Sequence, residues 1–156
     1  MVDVRFPVFT KSCALMNIYL HSDPKYNDDK EELLRTMRDH TYPTEFMYAA
    51  GDTNIKENKE DSNSGSKSSV EVRRIFNEFL TRHGLREIHQ PFPTRVDGRS
   101  WSRIDRVFMA TPKDFTMEDF MDMTVSLPKH PHEPGCGTEY PSDHFQVLLT
   151  PSPATQ

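Results

Sequence analysis

The sequence predicts an α/β (α+β) fold with a mixed sheet and helices packed on its outside. Short apolar runs typical of buried strands alternate with two stretches in which apolar residues recur at helical spacing. The first helical stretch lies between two strand-like runs, which is the connection expected in a mixed sheet. The 156 residues are enough for one domain with a core, and a content of 35% hydrophobic and 28% charged residues is typical of a polar globular protein.

The N-terminal third is predicted to contain an edge strand, a buried strand and a helix. Residues 2–9 alternate loosely and include a proline, which restricts them to the edge of a sheet. Residues 13–20 form an apolar run typical of a strand that is buried on both faces. Residues 28–39 carry one apolar stripe, and Asp28 with Glu31 predicts a capping box at the start of this helix.

The middle of the chain is predicted to contain a strand, a polar loop and a second helix. Residues 46–50 are an apolar run that predicts a buried strand. Residues 55–67 are almost wholly polar, so we expect a flexible loop that adds nothing to the core. Ser68 with Glu71 predicts a second capping box, and a strong apolar stripe then continues until Gly84 ends the helix.

The C-terminal part is predicted to be mainly strands and loops. Residues 85–89 are predicted to form a short strand, and residues 107–110 and 145–149 are short apolar runs that predict two more. We therefore expect one domain over residues 1–150, followed by a tail at residues 151–156.

The charge distribution gives two opposing indications about nucleic acid. The net charge of -5 argues against bulk attraction to a polyanion. Between positions 82 and 106, however, six arginines face only three acidic residues, an excess that suits a phosphate backbone. A solvated and partly paired surface explains the same excess equally well.

Other features of the sequence bear on the cell compartment. Cys13 and Cys136 lie far apart and have no metal-ligand spacing, so a disulfide framework is not supported. No apolar run approaches the length of a membrane span, and no basic segment followed by an apolar one marks a secretory signal. We therefore expect an intracellular protein of the nucleus or cytoplasm.

Three of the predicted strands carry an acidic motif at one end. The motif GDTN (51–54) follows one strand, SRID (102–105) precedes the next, and SDH (142–144) precedes the last. In an extended chain Asp52 and Asn54 project to the same side. Taken singly, each motif is explained as well by a polar turn at the end of a strand.

In this order the three motifs resemble those of the endonuclease/exonuclease/phosphatase family. This family includes deoxyribonucleases, apurinic endonucleases, inositol-phosphate phosphatases and LINE-type retrotransposon endonucleases. The resemblance covers the C-terminal half of such a domain and implies part of a four-layer αββα sandwich with mixed, mainly antiparallel sheets. The family's N-terminal Asn and Glu motifs have no counterpart here, so we expect the missing N-terminal half or a larger parent polypeptide as a partner.

The resemblance implies Mg²⁺-dependent phosphodiester hydrolysis, with Mn²⁺ as a second candidate cation. We expect an endonuclease acting on DNA or RNA, with the apurinic and LINE-type enzymes as the nearest subgroups. Two alternatives remain open. One is a catalytically inactive remnant that binds nucleic acid or a partner chain, and the other is a phosphatase acting on an inositol phosphate.

The resemblance also implies roles for individual residues. Asp52 is expected to act as the base or a metal ligand, and Asn54 to orient the phosphate or the nucleophile. Asp143 is expected to hold the cation. His144 is expected to bind or protonate the phosphate, with Asp105 orienting its ring.

Five further residues are implied to lie near the substrate. Tyr19 is a candidate catalytic residue that contacts the scissile phosphate, although a tyrosine packed at the edge of a core is equally consistent. Ser102, Arg103, Trp101 and Arg95 are candidate substrate-binding residues. For Arg103, a partner among the structural carboxylates is an alternative to the substrate.

Overall fold

The computed structural model describes residues 2–4, 13–42, 46–88, 92–110, 123–126, 144 and 148–151. Within these ranges the helices are α1 (Asn27–Asp39) and α2 (Val70–Arg82). The strands, in chain order, are β1 (Val2–Val4), β2 (Cys13–Tyr19), β3 (Phe46–Asp52), β4 (Arg86–Glu87), β5 (Arg95–Asp97), β6 (Ser100–Ser102), β7 (Asp105–Ala110), β8 (Met123–Ser126) and β9 (Leu148–Pro151).

A five-stranded sheet with the order β1-β2-β3-β7-β4 forms the centre of the molecule. Strands β2 and β3 are parallel, as the crossover through α1 requires, and the other neighbours pair antiparallel. Strands β5 and β6 form a hairpin, and β8 pairs with β9. The predicted α/β fold with a mixed, mainly antiparallel sheet is therefore confirmed, and β1 is the expected edge strand.

Both helices pack against one face of this sheet. Leu34 of α1, Phe76 of α2 and Phe108 of β7 are each fully buried. The rings of Phe76 and Phe108 meet edge to face with their centroids 5.6 Å apart, a favourable arrangement of aromatic side chains. The core cluster consists of Ala14, Ile18, Leu20, Leu34, Met47, Ala49, Ile55, Val72, Ile75, Phe76, Phe79, Leu85, Phe108 and Ala110.

The second helix ends where the sequence predicts. Gly84 adopts the left-handed conformation, with a φ of 63°, that a glycine provides at a helix end. The N–H of Leu85 then donates to the carbonyl of Leu80 at 2.9 Å. This end turns the chain back toward the sheet, where β4 begins.

Both predicted capping boxes are wrong. A 3-10 turn at Pro24–Tyr26, capped by the Asp23 carboxylate, runs directly into α1, so Asp28 already lies within the helix. Helix α2 is capped by Ser69, whose hydroxyl accepts from the N–H of Val72 at 3.2 Å. The hydroxyl of Ser68 instead accepts from the N–H of Lys56 at 3.0 Å. This bond connects the two ends of the loop that precedes the helix.

The polar segment 55–67 contributes more to the interior than the sequence indicates. Ile55 and Asp61 are fully buried, and a 3-10 turn spans Lys59–Asp61. The expectation that this loop adds nothing to the core is therefore wrong, because Ile55 belongs to the core cluster and Asp61 is buried beside Arg103. Its flexibility stays a prediction.

Two predicted C-terminal features lie partly outside the described residues. The final strand is seen as β9, but residues 145–147 are outside the described ranges, as are residues 152–156 of the predicted tail. Pro151, expected in that tail, belongs to β9. Neither helix in the part of the chain that the structure describes has the length and apolar character of a membrane span.

Candidate active site

One end of the five-stranded sheet brings together residues from three strands. Tyr19 at the end of β2 is the register partner of Asp52 at the end of β3, and Asp52 is the partner of Asp105 at the start of β7. Residues opposite each other in a sheet project to the same face. Since side chains alternate along β3, Asp52 faces away from the side on which Ala49 packs against the helices.

A glycine allows β2 and β3 to approach closely just before Asp52. Gly51 has a φ of 141°, and a Cβ at this position would lie 2.1 Å from the carbonyl oxygen of Ile18 and 2.9 Å from Oδ1 of Asn17. No side chain fits in this space. The glycine of the GDTN motif is therefore required by the backbone that delivers Asp52 to the end of the sheet.

The rest of the GDTN motif is a tightly bonded turn. The N–H and Oγ1 of Thr53 both donate to the carbonyl of Ile104, at 2.9 and 2.8 Å. Asn54 has a φ of 46°, a left-handed conformation that asparagine tolerates, and its N–H donates to Oδ1 of Asp52 at 3.1 Å. Its side-chain amide donates to the carbonyl of Leu20 at 2.8 Å, which ties the loop after β2 to the site.

His144 completes the group of side chains at this end of the sheet. Its Nδ1 lies 2.9 Å from Oδ2 of Asp105, and both side chains are partly buried. The backbone of His144 also forms an antiparallel bridge with Arg95 of β5. With the Asp105 carboxylate as acceptor, Nδ1 of His144 is the nitrogen that carries the proton of this hydrogen bond.

Asp52, Asp105 and His144 together present a possible metal-binding group. One ligand atom from each of the three side chains lies within 4.8 Å of the others. Burial raises the pKa of Asp52, the negative charge of Asp105 raises it further, and His144 and the N–H of Asn54 only partly oppose this. The raised pKa indicates that the negative charges of the two neighbouring carboxylates are not fully balanced. Such a pair suits a hard cation such as Mg²⁺, which prefers carboxylate oxygens. Asp143, the other predicted metal ligand, lies outside the described residues.

Arg103 lies in a different environment, apart from this group. Its guanidinium donates to Oδ1 of Asp61, with the nearer nitrogen at 2.7 Å, and it also pairs with Glu87. Arg106 bonds to Glu87 in turn and lies 2.8 Å from a Glu57 carboxylate oxygen. Of the two environments expected for Arg103, the structure therefore shows the structural carboxylates, and contact with substrate stays a prediction.

The other predicted substrate-binding residues lie beside a groove of about 250 Å³ between the hairpin and the 55–67 loop. Arg95, Trp101 and Ser102 line it, together with Lys56 and Asn63. Ser102 is 6% exposed, and its carbonyl accepts from the N–H of Thr94. Tyr19 is 68% exposed beside Asp52, so its side chain is open to a ligand.

The sequence interpretation missed three polar residues that support the site, of which Thr94 and Asp61 are fully buried and Glu87 is partly buried. Thr94 accepts hydrogen bonds from two backbone N–H groups, and Asp61 and Glu87 hold the arginines. Their partners are distant in sequence and follow no helical or strand period. One local signal was present, since only the short segment of β5 and β6 separates Thr94 from the SRID motif.

The comparison with known proteins identifies the fold. No family model and no curated protein matches the sequence. The endonuclease domain of TRAS1, a telomere-specific non-LTR retrotransposon, matches 96% of this chain with a TM-score of 0.55 and 19% identity. The 3'-5' exonuclease NExo from Neisseria meningitidis matches 88% with a TM-score of 0.61 and 22% identity. An AP endonuclease from Archaeoglobus fulgidus matches 88% with a TM-score of 0.59 and 16% identity.

The chain has the fold of these nucleases. It spans 59%, 60% and 61% of their respective lengths, so it corresponds to a part of each. Within this nuclease fold, the Asp52, Asp105 and His144 side chains meet at one end of the sheet.

Proposed function

We propose that this chain carries the active site of a Mg²⁺-dependent endonuclease that hydrolyses phosphodiester bonds in DNA or RNA. The observation that supports the proposal best is the convergence of Asp52, Asp105 and His144 in a nuclease fold. The three residues come from positions far apart in the chain. A solvated surface loop would not require them to meet.

In the proposed reaction each residue has a separate task. Asp52, whose pKa is raised by burial and by Asp105, is suited to accept a proton from the attacking water. Asp105 keeps the ring of His144 in one orientation, so that Nε2 is directed to a phosphate oxygen. A Mg²⁺ ion held by Asp143, or by Asp52 if that residue is a ligand and not the base, would neutralise the negative charge that develops on the phosphate.

The groove beside the site favours nucleic acid over an inositol phosphate. Trp101 offers an aromatic surface on which a base can stack, and Lys56 and Arg95 provide two positive charges in a lining that also contains the acidic Asp97. An inositol phosphate would use the charge but has no base to stack on the indole ring. The TRAS1, NExo and Archaeoglobus proteins are an endonuclease domain, an exonuclease and an AP endonuclease, which also favours nucleic acid as the substrate.

The test is cleavage of a supercoiled plasmid and of an abasic-site duplex by the purified chain, with Mg²⁺ or with a chelator. We expect cleavage only with Mg²⁺, and a loss of at least about 100-fold in Asp52→Asn and in His144→Ala. His40→Ala is the matched control, because His40 lines a pocket with Met47 and Ala110 at the opposite end of β3 and β7. Equal activity in the wild type and the His144 variant would contradict the proposal.

The same experiment separates the inactive alternative from the active one. A folded wild-type chain that binds DNA in a salt-sensitive manner but cleaves neither substrate would favour a binding remnant. Release of phosphate from an inositol phosphate, without cleavage of either DNA, would favour the phosphatase.

A further inference from the structure

We infer that Thr94 is a positioning residue for the Asp105–His144 pair. Thr94 precedes β5, at the base of the hairpin, and no part of the proposed reaction yet uses it. The inference rests on the proposed function for its effect on catalysis, but its effect on the pair can be measured without any activity.

The Thr94 hydroxyl holds two consecutive peptide groups. Its Oγ1 accepts from the N–H of Ile104 at 3.0 Å and from the N–H of Asp105 at 2.9 Å, and Thr94 is fully buried. These two N–H groups lie where the chain turns from the hairpin into β7. One side-chain oxygen therefore fixes the backbone from which the Asp105 carboxylate projects.

The same peptide is also held from its other side. The carbonyl of Ile104 accepts from the N–H and Oγ1 of Thr53, so two buried threonines, Thr53 of the GDTN motif and Thr94, hold Ile104 of the SRID motif. The N–H of Thr94 donates to the carbonyl of Ser102 at 2.9 Å, which closes the base of the hairpin. Little freedom remains for the peptide that joins Ile104 to Asp105.

The residue after Thr94 links this arrangement to the histidine. The backbone of Arg95 forms a bridge with His144, and the His144 ring lies 2.9 Å from the Asp105 carboxylate. The base of one hairpin therefore sets the position of both members of the pair, Asp105 through a side-chain hydroxyl and His144 through the main chain.

Loss of the hydroxyl has a defined physical consequence. Two buried N–H groups would lose their acceptor, and an unsatisfied buried donor rotates or draws in water to find another. The Asp105 carboxylate would then move relative to His144. A displacement on the order of 1 Å can lower a catalytic rate about 100-fold.

The test compares Thr94→Val, which keeps the shape and removes the hydroxyl, with Thr94→Ser, which keeps the hydroxyl and removes a methyl group. We expect Thr94→Val to lower kcat about 10- to 100-fold with KM changed less than about twofold, and Thr94→Ser to stay within about threefold of the wild type. Thermal melting of all three proteins sets an assay temperature at which each is folded. If Thr94→Val is too unstable to assay, Thr94→Cys replaces it, because a thiol is only a weak acceptor.

A second readout needs no nuclease activity. Two-dimensional ¹H–¹⁵N spectra of the ring of His144 report which nitrogen carries the proton. Hydrogen exchange reports the protection of the Ile104 and Asp105 amides. We expect Thr94→Val to lose this protection and to mix the two ring tautomers, and Thr94→Ser to keep both signals.

The two readouts separate the two ideas. If the wild type cleaves nothing but the ring and amide signals respond as expected, the positioning role stands and the proposed function fails. If Thr94→Val keeps the wild-type ring signal and amide protection, the positioning role is overturned. If both variants lose kcat in proportion to their loss of folded protein, the role is structural and the inference is overturned as well.

Discussion

Arg103 and Asp61 form a salt bridge of 2.7 Å in which both side chains are almost completely buried, at 8% and 0% exposure. The carboxylate also accepts from the N–H groups of Glu57 and Asn58, each at 2.8 Å. The guanidinium pairs with Glu87 as well. One ion pair therefore joins the 55–67 loop, the SRID motif and β4, the strand that contains Glu87.

Asp61→Asn is expected to destabilise the protein strongly. Removal of one partner from a buried pair typically costs about 3–5 kcal/mol. In this variant the buried Arg103 would keep Glu87 as an acidic partner but lose the closer charge of the fully buried Asp61. The measurement is the free energy of unfolding in urea. Asp97→Asn is the matched control, since the Asp97 side chain is 74% exposed and its carboxylate lies as far as 3.9 Å from the Arg95 guanidinium. Similar losses of unfolding free energy in both variants would show that the buried pair stabilises the protein no more than the exposed one does.

The same carboxylate predicts loss of stability in acid. Burial is the largest influence on the pKa of Asp61 and raises it, but the N–H groups of Asn58 and Glu57 and the charge of Arg103 together bring it below the ordinary 3.8. A lowered pKa in the folded state means that the stabilisation is present above the unfolded-state pKa and is lost as the pH falls through the folded-state value. We therefore expect the unfolding free energy to fall below about pH 4, and Asp61→Asn to show a shallower fall over that range. Parallel curves for the two proteins would contradict this assignment.

Gly51→Ala is expected to disrupt the junction of β2 and β3. The new Cβ would lie 2.1 Å from a main-chain oxygen of Ile18, and the φ of 141° is unfavourable for alanine. Backbone strain of this kind costs on the order of 3 kcal/mol, and relief by movement would displace Asp52. Urea unfolding measures the loss. Gly65→Ala is the control, because Gly65 also has a positive φ, of 64°, but nothing lies within 4 Å of an added Cβ. A Gly51 variant no less stable than the control would refute the close approach.

Asp52→Asn is expected to stabilise the protein at neutral pH in the absence of divalent cations. Burial and the neighbouring Asp105 raise the pKa of Asp52, so its ionised form is disfavoured in the folded state. The resulting cost appears as the pH rises through the unfolded-state and folded-state pKa values and is complete above the latter. Removal of the charge should raise Tm by about 2 °C or more at pH 7.

Addition of Mg²⁺ should reverse that order. A cation that binds only the folded state raises Tm by mass action, and Asp52→Asn removes one proposed ligand. We expect the wild type to gain stability with Mg²⁺ and the variant to gain much less. An equal response in both proteins would exclude Asp52 as a ligand. Asp39→Asn, with a side chain 56% exposed on α1, serves as the control for removal of an acidic group.

Much of the fold could be predicted because the decisive signals are local. The apolar stripe of α2 was visible in the sequence, since Val72, Ile75, Phe76 and Phe79 recur at helical spacing and are all buried. The order of the GDTN, SRID and SDH motifs led to Asp52, Asp105 and His144, which the structure brings together.

The remaining features depend on contacts between residues that no sequence pattern links. Asp61 lies 42 positions from Arg103, in a segment whose polar composition indicated only a loop. The hydroxyl of Thr94 bonds to backbone N–H groups, and any sequence can supply these. The capping boxes failed because Ser69 and Asp23, equally good caps, lay close to the residues that the pattern favoured.

The positions of the three site residues also fix the order in which a ribosome delivers them. Asp52 and Asp105 can pair as soon as β7 has emerged, whereas His144 follows 39 positions after Asp105. At about 5–20 residues per second, roughly 2–8 s separate the two events. During that interval the nascent chain holds the two carboxylates without the imidazole. The proposed hydrolysis, which uses all three side chains, therefore requires synthesis at least as far as His144.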